Sequence, residues 1–217
     1  MTDAPAPSTH LGKYRLLGEL GRGGMAQVYL ALVSGPAGFN KLLVVKRIQS
    51  ELAGDPDFVN MFLDEARLAA RLNHPNVVQT NEVGQDGDSY FIAMEYLEGQ
   101  TFRRILSRLG RGADAPLSVG MQLRVLVDAL RGLHYAHDLP DFDGTPLNVV
   151  HRDMSPDNIF VTYTGQVKVV DFGIAKALGS TTKTQTGMIK GKVSYMSPEQ
   201  ACGEPVDRRS DIFSLGV

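Results

Sequence analysis

Several short stretches of this sequence hold side chains suited to phosphate, metal or proton chemistry. Gly21-Arg22-Gly23-Gly24-Met25-Ala26-Gln27-Val28 is the first. Glycines lack a Cβ and so let backbone N–H groups approach phosphate oxygens. An ordinary glycine-rich turn has the same look, and a dinucleotide-binding fold uses similar glycines. That fold needs a helix next, whereas Gln27–Val33 reads as a strand, so a hairpin over phosphates fits better. Lys46 ends the apolar run Leu43-Val44-Val45. A strand lysine is usually a solvated edge charge, but Glu65 follows on the next helix and could pair with it, holding it against the α- and β-phosphates of a nucleotide. In His151-Arg152-Asp153-Met154-Ser155-Pro156-Asp157-Asn158 an aspartate and an asparagine share one tight loop. One could orient a substrate hydroxyl while the other ligates Mg2+. Asp171-Phe172-Gly173 adds a second oxygen ligand for a hard cation. Each motif is cheap alone; in this order they are specific.

Two competing patterns fail. Gly191-Lys192 hints at a nucleotide P-loop, but valine follows the lysine and the upstream glycine is missing. His134 and His137 have a helical metal-ligand spacing, yet no third ligand accompanies them, so packing or surface roles are expected.

The bulk of the chain allows a folded scaffold for these groups. It has 217 residues, 43% hydrophobic and 21% charged, with a formal net charge of -2. That composition is globular and offers neither a basic surface for nucleic acid nor an acidic tail. The lone cysteine, Cys202, cannot form an internal disulfide, which points to a reducing compartment and a cytoplasmic location. No apolar run is long enough to span a membrane, although sequence beyond residue 217 could carry an anchor.

The elements that must position the motifs follow from periodicity. Residues 1–12 read as a disordered leader. Tyr14–Leu20, Gln27–Val33 and Lys41–Ile48 read as antiparallel strands. Asp55-Pro56 is an N-cap followed by proline at the first helical position, and Phe58, Phe62, Ala66, Ala69 and Leu72 follow at helical spacing before His74-Pro75. Asn76–Val83 and Ser89–Glu95 read as two more strands. Beyond Gly99 helix dominates: Leu117–Asp138 carries the stripe Leu123, Leu126, Leu130 and Leu133. Short strands are expected around Val149–Val150, Asn158–Thr162 and Gln166–Val170. The predicted architecture is α+β: a strand-rich unit over 13–97 and a helix-rich unit over 98–217, with the cleft between them as the expected site. The last residues, Ser214-Leu215-Gly216-Val217, continue an apolar pattern without a cap, so the chain reads as a fragment that ends inside a helix and, alone, would be aggregation-prone.

With these residues in place, the sequence from about Tyr14 onward resembles the protein kinase superfamily, in particular bacterial serine/threonine kinases related to eukaryotic ones. Gly21, Gly23, Val28, Lys46, Glu65, Asp153, Asn158, Asp171 and Ser197-Pro198-Glu199 stand in family order. The resemblance implies a two-lobed fold that binds ATP with Mg2+, or Mn2+ in its place, and transfers the γ-phosphate to protein serine or threonine hydroxyls. It implies that Gly21, Gly23, Gly24 and Val28 cover ATP, that Val44, Met94, Glu95, Leu97 and Phe160 surround adenine, with Met94 as gatekeeper, and that Lys46 holds the phosphates, tethered by Glu65. Asp153 is then the catalytic base, and Asn158 and Asp171 hold the metal. Asp211 resembles the helix aspartate that anchors the catalytic loop. Arg152 beside Asp153 resembles kinases switched by phosphorylation of the activation loop, with Thr184 and Thr186 as the matching pair. Self-association for trans-autophosphorylation is a further expectation.

The chain departs from the family pattern at named positions. Ala26 replaces the third glycine and Val44 the usual alanine. Ser155 stands where serine/threonine kinases have a lysine, and Lys192 where they usually have threonine. The expectation is that Lys192 restores the missing ammonium from the opposite side. The other reading is a nucleotide-binding, pseudokinase-like module that transfers no phosphate.

Overall fold

Alternation of apolar and polar residues from Tyr14 to Ile48 builds the centre of a sheet. In the computed structural model, which describes residues 10–110, 117–172 and 193–217, β2 (Tyr14–Arg22), β3 (Ala26–Ser34) and β4 (Asn40–Ile48) run antiparallel. With β1 (His10–Leu11), β5 (Thr80–Asp86) and β6 (Ser89–Glu95) they form a six-stranded sheet of order β1-β2-β3-β4-β6-β5. β3 and β4 pair without interruption from Ala26↔Ile48 to Ser34↔Asn40, whereas β2 slips register twice on its way to the glycine-rich turn.

The two-residue period sorts side chains to two faces. Leu11, Tyr14, Ala31, Leu43, Val45, Phe91 and Ala93 pack together on one face. On the other, Ala26, Ile48 and Ile92 meet Phe62 and Ala66 of α1 (Pro56–Ala69). That helix starts where expected: the Asp55 carboxylate accepts the Asp57 N–H at 2.9 Å, with Pro56 in the first turn. Burying each large apolar side chain here contributes about 1.5–3 kcal/mol.

Two expectations need correction in this part of the chain. Residues 10–12 are not part of a disordered leader, because His10 and Leu11 pair with Arg15 and Tyr14 in β1. Burial of Leu11 and a hydrogen bond from Gly12 N–H to Asp86 at 2.8 Å hold them there. The strand expected over Asn76–Val83 begins only at Thr80. Its first residues turn elsewhere: Val77 bridges Val169, and Asn76 Nδ2 donates to the Val167 carbonyl at 2.8 Å.

The described residues accordingly cluster into two units. One runs up to Arg71 and includes Gln79–Tyr96; the other holds Leu72–Val78 and everything from Leu97 onward. The second unit contains a three-stranded sheet of β7 (Gly99–Thr101), β8 (Ile159–Thr162) and β9 (Val167–Val169). It also contains the helices α2 (Phe102–Leu109), α3 (Val119–His137), α4 (Pro198–Cys202) and α5 (Arg208–Gly216). Val149 and Val150 are buried but join no strand.

α3 turns a different face inward from the one its leucines suggest. Leu133 is buried, but Leu123 is 55% exposed, and the buried stripe is Val125, Asp128, Ala129, Gly132, Leu133, Ala136 and His137. Gly132 has no room for a side chain because the 72–78 segment passes close by: a Cβ there would lie 2.5 Å from the Asn76 carbonyl oxygen. Among the described residues no helix is long and apolar enough to cross a membrane.

Candidate active site

In the first unit the ladder registers put the expected nucleotide residues on one face. Val28 lies opposite Lys46, and Val44 opposite Met94. Val44 and Lys46 are two apart on β4, so they share the face that α1 covers. From α1, Glu65 reaches Lys46 at 2.5 Å between Oε1 and Nζ. The pair is partly buried, so each charge fixes the position of the other more than it adds stability. Ala26 fills a core position against Ile48 on that same face, which explains the loss of the third glycine.

The glycines of the β2–β3 turn are not required by packing. A Cβ on Gly21 or Gly24 would meet nothing within 4 Å, and on Gly23 only the Ala26 carbonyl at ordinary contact distance. None of the three has a positive φ. The chain itself places no demand for glycine there, which suits close approach by an anionic ligand. Glu95 is held by Gln79: its N–H donates to the Gln79 carbonyl at 2.9 Å, and its carboxylate accepts the Gln79 N–H at 2.7 Å. Any backbone contact of Glu95 with adenine therefore falls to its carbonyl. Leu97 opens the second unit, where Phe160 sits in β8 between Thr101 and Lys168.

The loop of residues 151–158 is assembled around one buried carboxylate. Asp211, 1% exposed on α5, accepts the His151 N–H through Oδ2 and the Arg152 N–H through Oδ1, both at 2.8 Å. The same Oδ2 lies 2.8 Å from His137 Nε2 on α3. Three hydrogen bonds offset the cost of burying the group. His151 is itself fully buried, with Nε2 at 3.0 Å from the Val170 carbonyl and Nδ1 accepting the Asp153 N–H at 3.3 Å. That pattern selects the neutral ring carrying its proton on Nε2. Burial pushes its pKa below the ordinary imidazole value, outweighing the nearby carboxylates of Asp211, Asp153 and Asp171. The ring also packs on Phe172 with centroids 4.6 Å apart.

These contacts bring Asp153, Asn158 and Asp171 together. Asn158 Nδ2 donates to the Asp153 carbonyl at 2.7 Å and to its carboxylate at 3.0 Å. The Val170 N–H donates to the Asn158 carbonyl at 3.0 Å, which sets Asp171 beside it. Asp171 and Arg152 both have φ near +60°, a conformation that surrounding structure must enforce on non-glycine residues. Among the described residues no cluster of three or more His, Cys, Asp or Glu could hold a metal alone. Two oxygen donors, Asn158 and Asp171, do fit Mg2+, which typically takes one or two carboxylates and completes its shell with phosphate and water. His134 and His137 are no metal pair: His137 faces Asp211, and exposed His134 lies 3.3 Å from Asp138.

Three features lay outside the sequence reading. Ser155 is buried, and its Oγ is the one buried side-chain polar atom among the described residues with no hydrogen-bond partner. Gln200 of α4 donates from Nε2 to the Arg152 carbonyl at 2.9 Å, a contact between positions 48 apart in sequence that no local pattern announces. Glu199 accepts a short hydrogen bond from Ser210 of α5, which holds its carboxyl below the usual pKa. Exposed Cys202 closes the same short helix as Gln200. Gly173, Thr184, Thr186 and Lys192 lie outside the described residues.

Comparison with known proteins agrees with this geometry. The protein kinase domain family matches residues 14–217. The chain is 55% identical over 95% of its length to the tyrosine-protein kinase MasK of Myxococcus xanthus, and 37% identical over 95% to the serine/threonine-protein kinase PrkC of Bacillus subtilis. It spans only 32% and 29% of those two proteins. The crystal structure of the Mycobacterium tuberculosis PknI kinase domain superposes with a TM-score of 0.68 at 28% identity, covering 98% of this chain and 74% of that one. The chain belongs to the protein kinase family, and its strand-rich and helix-rich units are the two lobes of that α+β fold.

Proposed function

We propose that this chain is the catalytic part of a serine/threonine protein kinase that uses MgATP. The observation that carries the reading is the hydrogen bond from Asn158 to the Asp153 carboxylate on a loop anchored by Asp211, with Asp171 following Val170, whose N–H donates to the Asn158 carbonyl. Lys46, oriented by Glu65, binds the α- and β-phosphates, and Asn158 and Asp171 hold the metal. Bound Mg2+ would neutralise charge on the β- and γ-phosphates. Asp153 orients the acceptor hydroxyl and takes its proton as the oxygen bonds to the γ-phosphorus. The bond from that phosphorus to the β,γ-bridging oxygen breaks, and ADP leaves. Lys192 is assigned the ammonium that Ser155 does not provide.

Serine or threonine as acceptor is supported by PrkC and by the serine/threonine-protein kinase PknA of Mycobacterium tuberculosis, which is 38% identical over 95% of this chain. Tyrosine is a second reading, favoured by the 55% identity to a protein named a tyrosine kinase and by Ser155 in place of lysine. Self-activation through Thr184 or Thr186 belongs to the first reading.

The test is intact-mass phosphate counting on the full-length protein after MgATP, with site mapping, beside Lys46→Met. The expected result is phosphate on Thr184 or Thr186 in the parent and none in Lys46→Met. Phosphate on tyrosine alone would select the second reading. No added mass, despite measurable ATP binding, would leave a nucleotide-binding module without transfer.

A further inference from the structure

Arg152 is held through both of its backbone polar groups. The Arg152 N–H donates to Asp211 Oδ1 at 2.8 Å, and the Arg152 carbonyl accepts from Gln200 Nε2 at 2.9 Å. Gln200 is fixed at its other end as well. Its Oε1 accepts the Ser197 N–H and the Ser197 hydroxyl, each at 3.2 Å, and its own N–H donates to Ser197 Oγ at 3.4 Å. Ser197 is wholly buried, so the cap that holds Gln200 does not sway in solvent. Arg152 has φ +65°, a left-handed value that a non-glycine residue keeps only where its surroundings impose it. The two hydrogen bonds to its N–H and carbonyl are such surroundings.

We propose that Gln200 is a positioning residue for phosphoryl transfer: by bonding the Arg152 carbonyl it sets the aim of Asp153 and makes the docking of α4 a condition of catalytic alignment. The proposal rests on the kinase reading above. Glutamine meets a double requirement here. One end must donate to a carbonyl while the other accepts from the helix cap. Glutamate keeps the acceptor and loses the donor; methionine keeps the length and loses both. Without Gln200 the Arg152 carbonyl loses this donor, which leaves the Arg152–Asp153 peptide the longer 3.3 Å bond from the Asp153 N–H to His151 Nδ1, and the Asp153 side chain begins at the next Cα.

The experiment compares Gln200→Met, Gln200→Glu and Ser197→Ala in the full-length protein. Misplacement of a reacting group by about 1 Å can cost roughly a hundredfold, so kcat in Gln200→Met is expected to fall by about tenfold to a hundredfold. The KM for ATP should stay within about twofold, because the lysine and glutamate of the first unit are untouched. Gln200→Glu should fall at least as far. Ser197→Ala removes the capping hydroxyl but leaves both ends of Gln200 engaged, and kcat should drop by less than about threefold. Amide hydrogen exchange over residues 151–154, read on the same samples, should speed up in both Gln200 variants and match the parent in Ser197→Ala. An unchanged kcat in Gln200→Met, or an equal loss in Ser197→Ala, overturns the proposal and leaves Gln200 a helix cap. If the parent transfers no phosphate, the kinase reading fails on its own account. Exchange then decides the positioning claim, which unchanged protection in Gln200→Met would sink.

Discussion

Asp211 shows how much of a loop can hang on one side chain. Its two oxygens serve the backbone N–H groups of His151 and Arg152 and face the ring of His137, while the residue is almost wholly buried. Replacing a carboxylate oxygen with an amide NH2 turns an acceptor toward a donor with no water to relieve the conflict. Asp211→Asn should therefore lose about 3 kcal/mol of stability, within the range for breaking a buried charged hydrogen-bond set. Urea unfolding of the parent and variant measures this directly. A coincident midpoint would mean that the loop is anchored elsewhere. At this scale the candidate residues were legible in the sequence, since Asp153, Asn158 and Asp171 announce themselves by local spacing. The anchor Asp211 was legible through the family resemblance, but the other supports were not: His137 meets Asp211 across 74 positions and Gln200 meets Arg152 across 48. Contacts of that separation leave no trace in periodicity.

Among elements, α3 is the instructive one. Its leucines gave the right helix and the wrong inward face. Hydrophobicity alone favours Leu123 and Leu130 for the interior, but the buried stripe includes Asp128, Ala129, Gly132 and Ala136, and at Gly132 the 72–78 segment leaves no room for a side chain. The same segment upset the strand expected from Asn76, because its backbone pairs with β9 instead of extending β5. Composition does not encode such close approaches between chain segments. Gly132→Ala tests the approach at that residue with opposed effects. Alanine gains about 1 kcal/mol of helix propensity over glycine. A Cβ placed 2.5 Å from a backbone oxygen must displace one of the two segments, and overpacking of this kind costs about 1–3 kcal/mol. The clash should win, lowering the unfolding midpoint. A raised midpoint would mean that helix and segment are further apart than described.

For the molecule as a whole, the kinase and binding-module readings share one expectation and part on another. Both need MgATP to bind the folded state. A ligand at about a hundred times its Kd adds about 2.7 kcal/mol, and a domain of this size gains about 2–4 °C in Tm per kcal/mol. A rise of roughly 5–10 °C is therefore expected in the parent. Lys46→Met should show a clearly smaller rise, since it removes the ammonium that Glu65 holds in place. No rise in the parent would exclude both readings together, whereas a rise without phosphate transfer would separate them. The two-lobed division itself was readable from the switch in texture near Gly99, because strands and helices bury side chains with different periods.

The lone cysteine turns these questions into an optical measurement. Cys202 is the only cysteine in the sequence, it is exposed, and it lies on α4 two positions beyond Gln200. A thiol-reactive dye attached to the unmodified protein therefore lands at a single site, on the helix whose seating the catalytic loop depends upon. Its emission or anisotropy can follow that helix through nucleotide binding and turnover in real time, without introducing a foreign labelling site.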